Sequence, residues 1–196
     1  MRRRHPLPHV WLMTDTRMGD ALWEALQRLP RGAGVVVRHY GLPLIERRAV
    51  LTRVERIARA RGLVVLGAGG LVGSGGVHNG RTVRGLSTRA AHDRAQIVAA
   101  VRSGADAVFV SPVFATRSHV GAPGLGVVRL GLLVRGARVP VIALGGMDAR
   151  RARRVRAMGV YGWAGIDAWL KAGHALARAT SKGFRGAPAK IGAQLA

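Results

Sequence analysis

The stretch LVVLGAGGLVGSGG, residues 63–76, decides the fold, because it is compatible with two different parallel-sheet architectures. An apolar run is followed by a series of glycines that begins at Gly67. A dinucleotide-binding sheet needs the pattern G-x-G-x-x-G at this point, a helix after it, and an acidic residue about twenty positions later at the end of the next strand. Here the last position of the pattern is Val72, and the next acidic residue, Asp93, falls in a predicted helix. We therefore interpret the glycines as a connection that lets a shortened crossover turn tightly.

The rest of the chain alternates between predicted strands and predicted helices. Eight apolar runs are bounded by glycine or turn residues: HVWLMT, GVVVRH, LVVLG, GVHN, RGLS, AVFVS, VPVIALG and VYGWAG. Amphipathic stretches lie between most of them: GDALWEALQRL, ERRAVLTRVERIARA, TRAAHDRAQIVAAVRSG, LGVVRLGLLVRG and DARRARRVRAMG. This alternation predicts a single α/β domain, a closed (β/α)8 TIM barrel. The spacing around residues 67–82 predicts that the third and fourth crossovers have little or no helix.

The length and composition set the domain organisation. With 196 residues, 48% of them hydrophobic, the chain is long enough for one sizeable core and short for two. We predict a barrel over residues 1–175 and a flexible basic tail over residues 176–196, which are rich in glycine, alanine and basic residues.

The cellular location is predicted from two features of the sequence. Because the chain has no cysteine, disulfides and thiolate metal sites are excluded, and a reducing cytoplasm is the default location. The start, MRRRHPLPHVWLMTD, has the positive end of a signal peptide, but Pro6 and Pro8 interrupt its apolar part and Asp15 ends it early. We expect a cytoplasmic protein without a membrane segment.

The charge of the chain is strongly positive. Lysine and arginine total 32 against 9 aspartate and glutamate residues, a formal net charge of +23. Such a balance favours phosphates, nucleic acids or anionic membranes as partners. The arginines are spread over predicted helices with few aromatic residues between them, which is typical of a solvated helix face. We expect a phosphorylated small molecule as the ligand, and no specific nucleic-acid partner.

Five pieces of the second half of the chain follow one another in a recognisable order: GLST, GADAVFVSPVFAT, PGLG, PVIALGGM and MGVYGWAGI. Together they resemble the thiamine phosphate synthase family, which includes the related thiazole tautomerases. The resemblance extends more weakly to GVHNG, VVVRHY and VWLMTD. It implies a (β/α)8 barrel that joins hydroxymethylpyrimidine diphosphate to thiazole phosphate and releases pyrophosphate. It also implies a dissociative reaction, which needs neutralisation of the leaving group and alignment of the reactants more than acid–base chemistry.

The phosphate of the thiazole has a candidate site after the last two strands. Gly145 and Gly146 follow the seventh strand, and Gly165 and Ile166 belong to the end of the eighth. The resemblance implies that backbone N–H groups at these positions hold the phosphate, as helix starts in barrels do. The alternative is a tight strand-to-helix turn without a ligand. The family often has a serine where this chain has Asp167, and a carboxylate beside a phosphate is unfavourable unless it points away.

The loop SPVFATRSH, residues 111–119, follows the sixth strand. It matches the family pattern G-P-x-F-x-T-x-T-K, with Thr116 and Ser118 at the two threonines and His119 where a lysine meets pyrophosphate. Two hydroxyls at alternate positions can reach one anion. For His119 the alternative is an exposed loop histidine. The tautomerases carry a catalytic histidine where Pro112 stands, so the sequence disfavours tautomerase chemistry.

The diphosphate end keeps fewer of the family's residues. After the second strand the family shows Q-x-R-x-K, of which this chain keeps only Arg38, with Val36 for the glutamine and Tyr40 for the lysine. Ser87, in GLST, matches the serine of the family's G-x-S. The resemblance therefore implies Arg38 and Ser87 as diphosphate contacts.

The metal ligands of the family are absent from the sequence. In the family an Asn-Asp pair ends the third strand and binds Mg²⁺, and a second aspartate follows the H-x-G of the fourth. Here Gly67 and Ala68 replace the pair, and residues 81–83 contain no acid. Mg²⁺ prefers carboxylate ligands, so it is expected from the family but no cofactor is assigned to this chain. Asp15 is the one acid that the sequence places at the barrel mouth, where it could equally cap the first turn.

Two functions remain open from the sequence. The first is a divergent transferase of the thiamine phosphate synthase type, weak or altered because arginines such as Arg38, Arg81 and Arg117 replace the charge of the metal. The second is a non-catalytic or repurposed barrel that binds a phosphorylated ligand of the thiazole or thiamine type. A homodimer is left open in both cases.

Overall fold

A computed structural model of the chain describes residues 6–82, 84–116 and 123–170. These residues form eight parallel strands that close a barrel in sequence order, with five α-helices in the connections. The strands are β1 (Val10–Met13), β2 (Gly34–Val37), β3 (Val64–Ala68), β4 (Gly76–His78), β5 (Leu86–Ala91), β6 (Ala107–Val110), β7 (Val141–Ala143) and β8 (Gly162–Gly165). The helices are α1 (Ala21–Arg28), α2 (Leu44–Arg61), α3 (Arg94–Arg102), α4 (Gly126–Arg135) and α5 (Ala149–Arg156). The predicted (β/α)8 TIM barrel is confirmed.

Burial explains why the apolar runs become strands. Every residue of seven strands is buried, and β5 is the exception, with buried and half-buried residues. A parallel strand that is covered on both faces needs a nearly continuous apolar sequence, which these runs supply. The ladder between β1 and β8 closes the barrel and pairs Val10 with Trp163 and Leu12 with Gly165.

The third and fourth crossovers contain no helix in the residues that the structure describes. The glycines there bring backbone close to backbone. A Cβ added to Gly67 would lie 2.5 Å from the carbonyl of Leu71, and one added to Gly73 would lie 2.5 Å from the carbonyl oxygen of Val65. The prediction of shortened crossovers is therefore confirmed, and the glycines are needed because side chains have no room.

The fifth strand corrects one boundary of the sequence analysis. A helix was predicted from Thr88, but Thr88–Ala91 pairs with Ala107–Val110 as the second part of β5. Helix α3 begins at Arg94, after Asp93, whose side chain accepts a hydrogen bond from the backbone N–H of Gln96 at 2.8 Å. The prediction was wrong because pairing with β6 outweighs the helical pattern of the sequence. The carboxyl end of β5 is therefore at Ala91, four residues beyond Ser87.

Two predictions concern other parts of the chain. The tail over residues 176–196 and the barrel's predicted last residues, 171–175, lie outside the described residues. Within the described part of the chain, none of the helices combines the length and the hydropathy that a membrane crossing requires.

Tryptophans fill the interior of the barrel. Trp11 contacts Phe109 edge to face at a ring distance of 5.3 Å, and its backbone oxygen accepts a hydrogen bond from Nε1 of Trp169 at 3.2 Å. The Trp169 ring stacks on Trp163 at 5.4 Å. Trp11 pairs with Gly34 of β2 across the ladder, and a Cβ on Gly34 would lie 2.1 Å from the Trp11 ring. The missing side chain of Gly34 thus makes room for the indole.

Substituting Gly34→Ala should lower the free energy of unfolding by roughly 1–3 kcal/mol, because overpacking forces the Trp11 ring out of its place. Gly41→Ala is the matched control, since its added methyl group would come no closer than 3.8 Å to Thr16. Urea unfolding followed by tryptophan fluorescence measures both variants. Equal midpoints for Gly34→Ala and the wild type would contradict the packing described above.

Candidate functional site

The carboxyl ends of the strands surround a cavity of about 530 Å³. Its lining comes from residues at the ends of β1, β2 and β4 to β8 and from the segments that follow them. Loops at this end of a barrel carry the functional groups in characterised enzymes of this fold. The cavity is therefore the candidate site, and the predicted residues can be placed relative to it.

Six of the predicted site residues line this one cavity: Arg38, Thr116, Gly145, Gly146, Gly165 and Ile166. They come from the ends of β2, β6, β7 and β8, which are far apart in the sequence and converge because the barrel closes. Two further predicted residues, Ser118 and His119, lie outside the described residues. The same holds for Arg117, whereas Arg81 is exposed and is not part of the lining.

Gly145 and Gly146 turn the chain with φ angles of 92° and 59°. An added Cβ would lie 2.7 Å from Cα of Pro112 at the first position and 2.6 Å from the carbonyl oxygen of Ala115 at the second. Among the described residues, neither glycine donates its backbone N–H in a hydrogen bond. Two N–H groups beside a cavity and without an internal acceptor are the donors that an anion can use.

Asp167 stands at the same edge of the cavity, close to Gly165 and Ile166. Its carboxylate oxygen lies 3.5 Å from the guanidinium of Arg17, which also lines the cavity. The positive charge of Arg17 offsets the repulsion that Asp167 would otherwise exert on an anion. The aspartate that replaces the family's serine is therefore compensated locally.

Arg38 reaches the cavity from the end of β2. Its Nε donates to the carbonyl oxygen of Thr14 at 3.1 Å, and Nη2 donates to the Asp15 carboxylate at 3.3 Å. Burial lowers the pKa of Arg38, and the Asp15 carboxylate opposes that shift. Asp15 also accepts a hydrogen bond from the backbone N–H of Arg17 at 3.2 Å, so it caps the first turn after β1 as well as holding Arg38.

The structure places Ser87 away from the cavity. Its backbone N–H donates to Asp106, which precedes β6, so Ser87 is near the amino end of its strand. Thr88 and Ala90, on the alternate positions, face the interior, and Ala90 lines the cavity. The sequence match put Ser87 at the strand end, but β5 continues to Ala91. Ser87 is therefore not among the groups that the fold brings together.

The cavity contains a buried histidine to which the sequence analysis gave no role. His78, at the end of β4, is 4% exposed, and its ring contacts Phe109 edge to face at 5.1 Å. Nδ1 lies 3.0 Å from Oγ1 of Thr88, whose hydroxyl donates to the carbonyl of Val77. Nδ1 is therefore assigned the proton, and Nε2 is the acceptor. Burial lowers the pKa of His78 to about 4, and the positive charges of Arg38 and Arg89 act in the same direction.

A second histidine in the lining, His92, follows β5 and is exposed. Nδ1 lies 2.5 Å from the carbonyl oxygen of Ser111, and since a carbonyl only accepts, Nδ1 carries the proton. Nε2 is then the acceptor of the neutral ring. The imidazole thus lies beside Pro112, the residue that stands where the tautomerases have their histidine. If the sequence analysis had ended β5 at Ala91, it would have predicted His92 at the barrel mouth.

An arginine bonds the backbone at the end of β3, where the resemblance implies the Asn-Asp pair that binds the metal. Arg47 of α2 is 7% exposed and donates to the backbone oxygens of Arg38 at 2.9 Å, Ala68 at 2.5 Å and Gly69 at 2.9 Å. No carboxylate ends β3, and a Cβ on Gly67 would meet backbone. Within the described residues, no three His, Cys, Asp or Glu side chains form a metal-binding group. The residues at the end of β3 do not suit Mg²⁺, because the carbonyl oxygens there already bond a guanidinium.

Comparisons with known proteins find relatives of similar sequence and a solved structure of similar fold. Residues 81–169 match the family model described as thiamine monophosphate synthase. A thiamine-phosphate synthase of Salinispora tropica is 38% identical over 112 residues, and the match covers 54% of each chain. A putative thiamine-phosphate synthase 2 of Aquifex aeolicus is 35% identical over 81 residues, and the match covers 41% of this chain and 44% of that protein. The chain thus matches about half the length of these curated relatives. The solved thiamine phosphate pyrophosphorylase from Pyrococcus furiosus shares the fold, with a TM-score of 0.69 and 20% sequence identity. The match covers 87% of this chain and 91% of that one.

The lowered pKa of His78 predicts a loss of stability in acid. Because its pKa is about 4 in the folded chain and roughly 6.5 in an unfolded one, the unfolded chain binds more protons between these values. The free energy of unfolding should therefore fall by about 2 kcal/mol between pH 7 and pH 5 through this residue alone. His78→Gln should remove that part of the slope. Urea unfolding at both pH values measures it, and identical slopes for wild type and variant would contradict the prediction.

Proposed function

We propose that this chain, which belongs to the thiamine monophosphate synthase family, binds a thiazole phosphate in its cavity and joins it slowly to hydroxymethylpyrimidine diphosphate. The observation that carries the proposal is the pair of backbone N–H groups at Gly145 and Gly146, which line the cavity and have no acceptor among the described residues. We place the reaction in the cytoplasm, whose reducing conditions suit a chain without cysteine.

The phosphate site combines these donors with positive charge. Arg151 lines the cavity, donates to the carbonyl oxygen of Gly146, and lies over the Phe114 ring at 4.8 Å. Arg17, which is paired with Asp167, also lines the cavity. Backbone donors beside a guanidinium group favour a phosphate over a neutral group, and they do so without any side chain that the family supplies and this chain lacks.

The diphosphate is assigned to the Arg38 edge of the same cavity. Nε and Nη2 of Arg38 donate to Thr14 and Asp15, while Nη1 makes no hydrogen bond or ion pair with a described residue. A guanidinium fixed on one side and open on the other presents its remaining N–H groups in a set orientation. Thr116, which also lines the cavity, adds a hydroxyl from the β6 side.

The chemistry needs little proton transfer. The bond between the pyrimidine methylene carbon and the diphosphate oxygen breaks, and its electron pair leaves with pyrophosphate. The thiazole nitrogen then donates its lone pair to the same carbon and forms the new C–N bond. Arg38 stabilises the charge of the leaving group, and the phosphate site aligns the thiazole. His78 is neutral at physiological pH because of its lowered pKa, so it acts as a hydrogen-bond acceptor and not as an acid.

We expect the reaction to be slow. A divalent ion contributes several kcal/mol to charge stabilisation in such sites, and guanidinium groups lack its charge density. The alternative function is a barrel that binds the phosphorylated ligand and joins nothing. The end of β3 supports this alternative, because Gly67 and Ala68 replace the family's Asn-Asp pair there, and Arg47 bonds the backbone oxygens of Ala68 and Gly69.

Substituting Gly146→Ala should weaken the binding of inorganic phosphate at least ten-fold. Its Cβ would lie 2.6 Å from the Ala115 oxygen and 2.9 Å from Cβ of Phe114, so the N–H group must turn away from the cavity. Gly70→Ala is the matched control, since its φ is 86° but nothing lies within 4 Å of the added atom. Isothermal titration calorimetry gives both affinities. Equal affinities in the two variants would place the phosphate elsewhere.

A synthase assay with both substrates, with excess EDTA or with Mg²⁺, separates the two functions. The transferase proposal expects slow formation of thiamine phosphate, changed less than two-fold by EDTA and reduced further in Arg38→Ala. Phosphate binding without any product supports the non-catalytic alternative. Fast turnover that EDTA abolishes and Mg²⁺ restores would show that a metal is bound by groups other than those described, and would contradict the proposal.

A further inference from the structure

The guanidinium of Arg47 is buried, and its hydrogen-bond acceptors among the described residues are backbone oxygens. Its three contacts are the carbonyl oxygens of Arg38, Ala68 and Gly69, at 2.9, 2.5 and 2.9 Å. The ring of Tyr40 lies 5.3 Å from it and covers one side. No carboxylate within salt-bridge distance of Arg47 is found among the described residues. A buried charge needs such hydrogen bonds, because without them its desolvation is strongly unfavourable.

These carbonyl groups belong to two neighbouring strand ends. Arg38 directly follows β2, and Ala68 and Gly69 end β3 and begin its loop. Several carbonyl oxygens that converge on one point form a negative site that can be neutralised by a bound cation. Here a side chain of the protein does so. The chain therefore carries a fixed positive charge at this edge of the mouth, whatever ions the solution contains.

Arg47 also fixes the backbone of Arg38. The next residue, His39, is buried with a φ of 41°, a conformation that is rare for residues other than glycine. Nδ1 of His39 hydrogen-bonds Oγ1 of Thr14 at 2.9 Å, and the same hydroxyl contacts the backbone N of Arg38 at 3.1 Å. Nε of Arg47 donates to the carbonyl oxygen of Arg38, so both the backbone N–H and the carbonyl group of Arg38 are bonded to side chains. Arg47 does not line the cavity, so it acts on a ligand only through Arg38.

We propose that Arg47 is a positioning residue that takes the place of a bound cation between β2 and β3 and orients Arg38 toward a diphosphate group. This inference rests on the proposed function, which assigns the diphosphate to the Arg38 edge. It states in addition that the edge binds the diphosphate without a metal ion, and that the residue responsible lies on helix α2, outside the cavity.

The test compares four variants with inorganic pyrophosphate and inorganic phosphate, each titrated calorimetrically in excess EDTA. Arg47→Met should weaken pyrophosphate binding about ten-fold and change phosphate binding less than two-fold. Arg48→Met is the matched control, because Arg48 is the exposed neighbour on the same helix, and it should bind both ligands as the wild type does. In Arg38→Ala, adding Arg47→Met should cause less than two-fold further loss, because residues that act through one another are not additive.

The outcomes distinguish this inference from the proposed function. If the wild type binds phosphate and Arg47→Met binds pyrophosphate as tightly as the wild type does, the inference is overturned and the proposed phosphate site is unaffected. Equal loss of both ligands, or additive losses with Arg38→Ala, shows a general structural role and also overturns it. A wild type that binds neither ligand contradicts both proposals. If Arg47→Met does not fold, Arg47→Lys replaces it, since lysine keeps the charge but cannot bond all three carbonyls in the same plane, and a smaller loss confined to pyrophosphate is expected.

Discussion

Backbone lies directly against backbone where the chain passes from β3 through β4 to β5, and the closure of the barrel depends on that contact. A Cβ on Gly76 would lie 2.0 Å from the carbonyl oxygen of Leu86, and one on Gly85 would lie 2.5 Å from that of Gly75. These approaches let two crossovers do without helices, so that eight strands close in a short chain. Because the barrel is closed, the ends of β2, β6, β7 and β8 meet around one cavity.

Few of the positive charges of the chain lie at the cavity. Arg17, Arg38 and Arg151 line the cavity. Arg17 is paired with Asp167, which also lines it, and Arg38 is paired with Asp15, which lies behind the lining. Most of the remaining basic side chains of the described helices are exposed, where solvent and salt screen them. The anion site that we propose therefore depends on these local groups, and the net charge of +23 would affect mainly the rate at which anions of any kind approach.

The sequence was sufficient for the architecture, because burial of the strands on both faces requires a nearly continuous apolar run for each strand. It also predicted the turn at Gly145 and Gly146 after the seventh strand, which the structure places at the cavity, while phosphate binding by these glycines stays a prediction. It failed at the end of β5. The predicted strand ends at Ser87, but β5 continues for four more residues to Ala91, because the helical pattern of these residues conceals their pairing with β6. His78 belongs to the GVHNG stretch, but its burial against Phe109 depends on a strand distant in the sequence. Arg47 has no local signal, because the carbonyl groups that it bonds follow two different strands.

The close packing after β3 has a consequence for the history of this site. Any side chain at position 67 would meet the backbone of Leu71 at 2.5 Å. An asparagine restored at this position, the first of the family's Asn-Asp pair, would therefore require the loop after β3 to move. At the second position, Ala68 already has a Cβ, and its carbonyl oxygen accepts a hydrogen bond from Arg47. Restoring the pair therefore needs the loop to change together with residues 67 and 68, which makes the divergence of this site hard to reverse one mutation at a time.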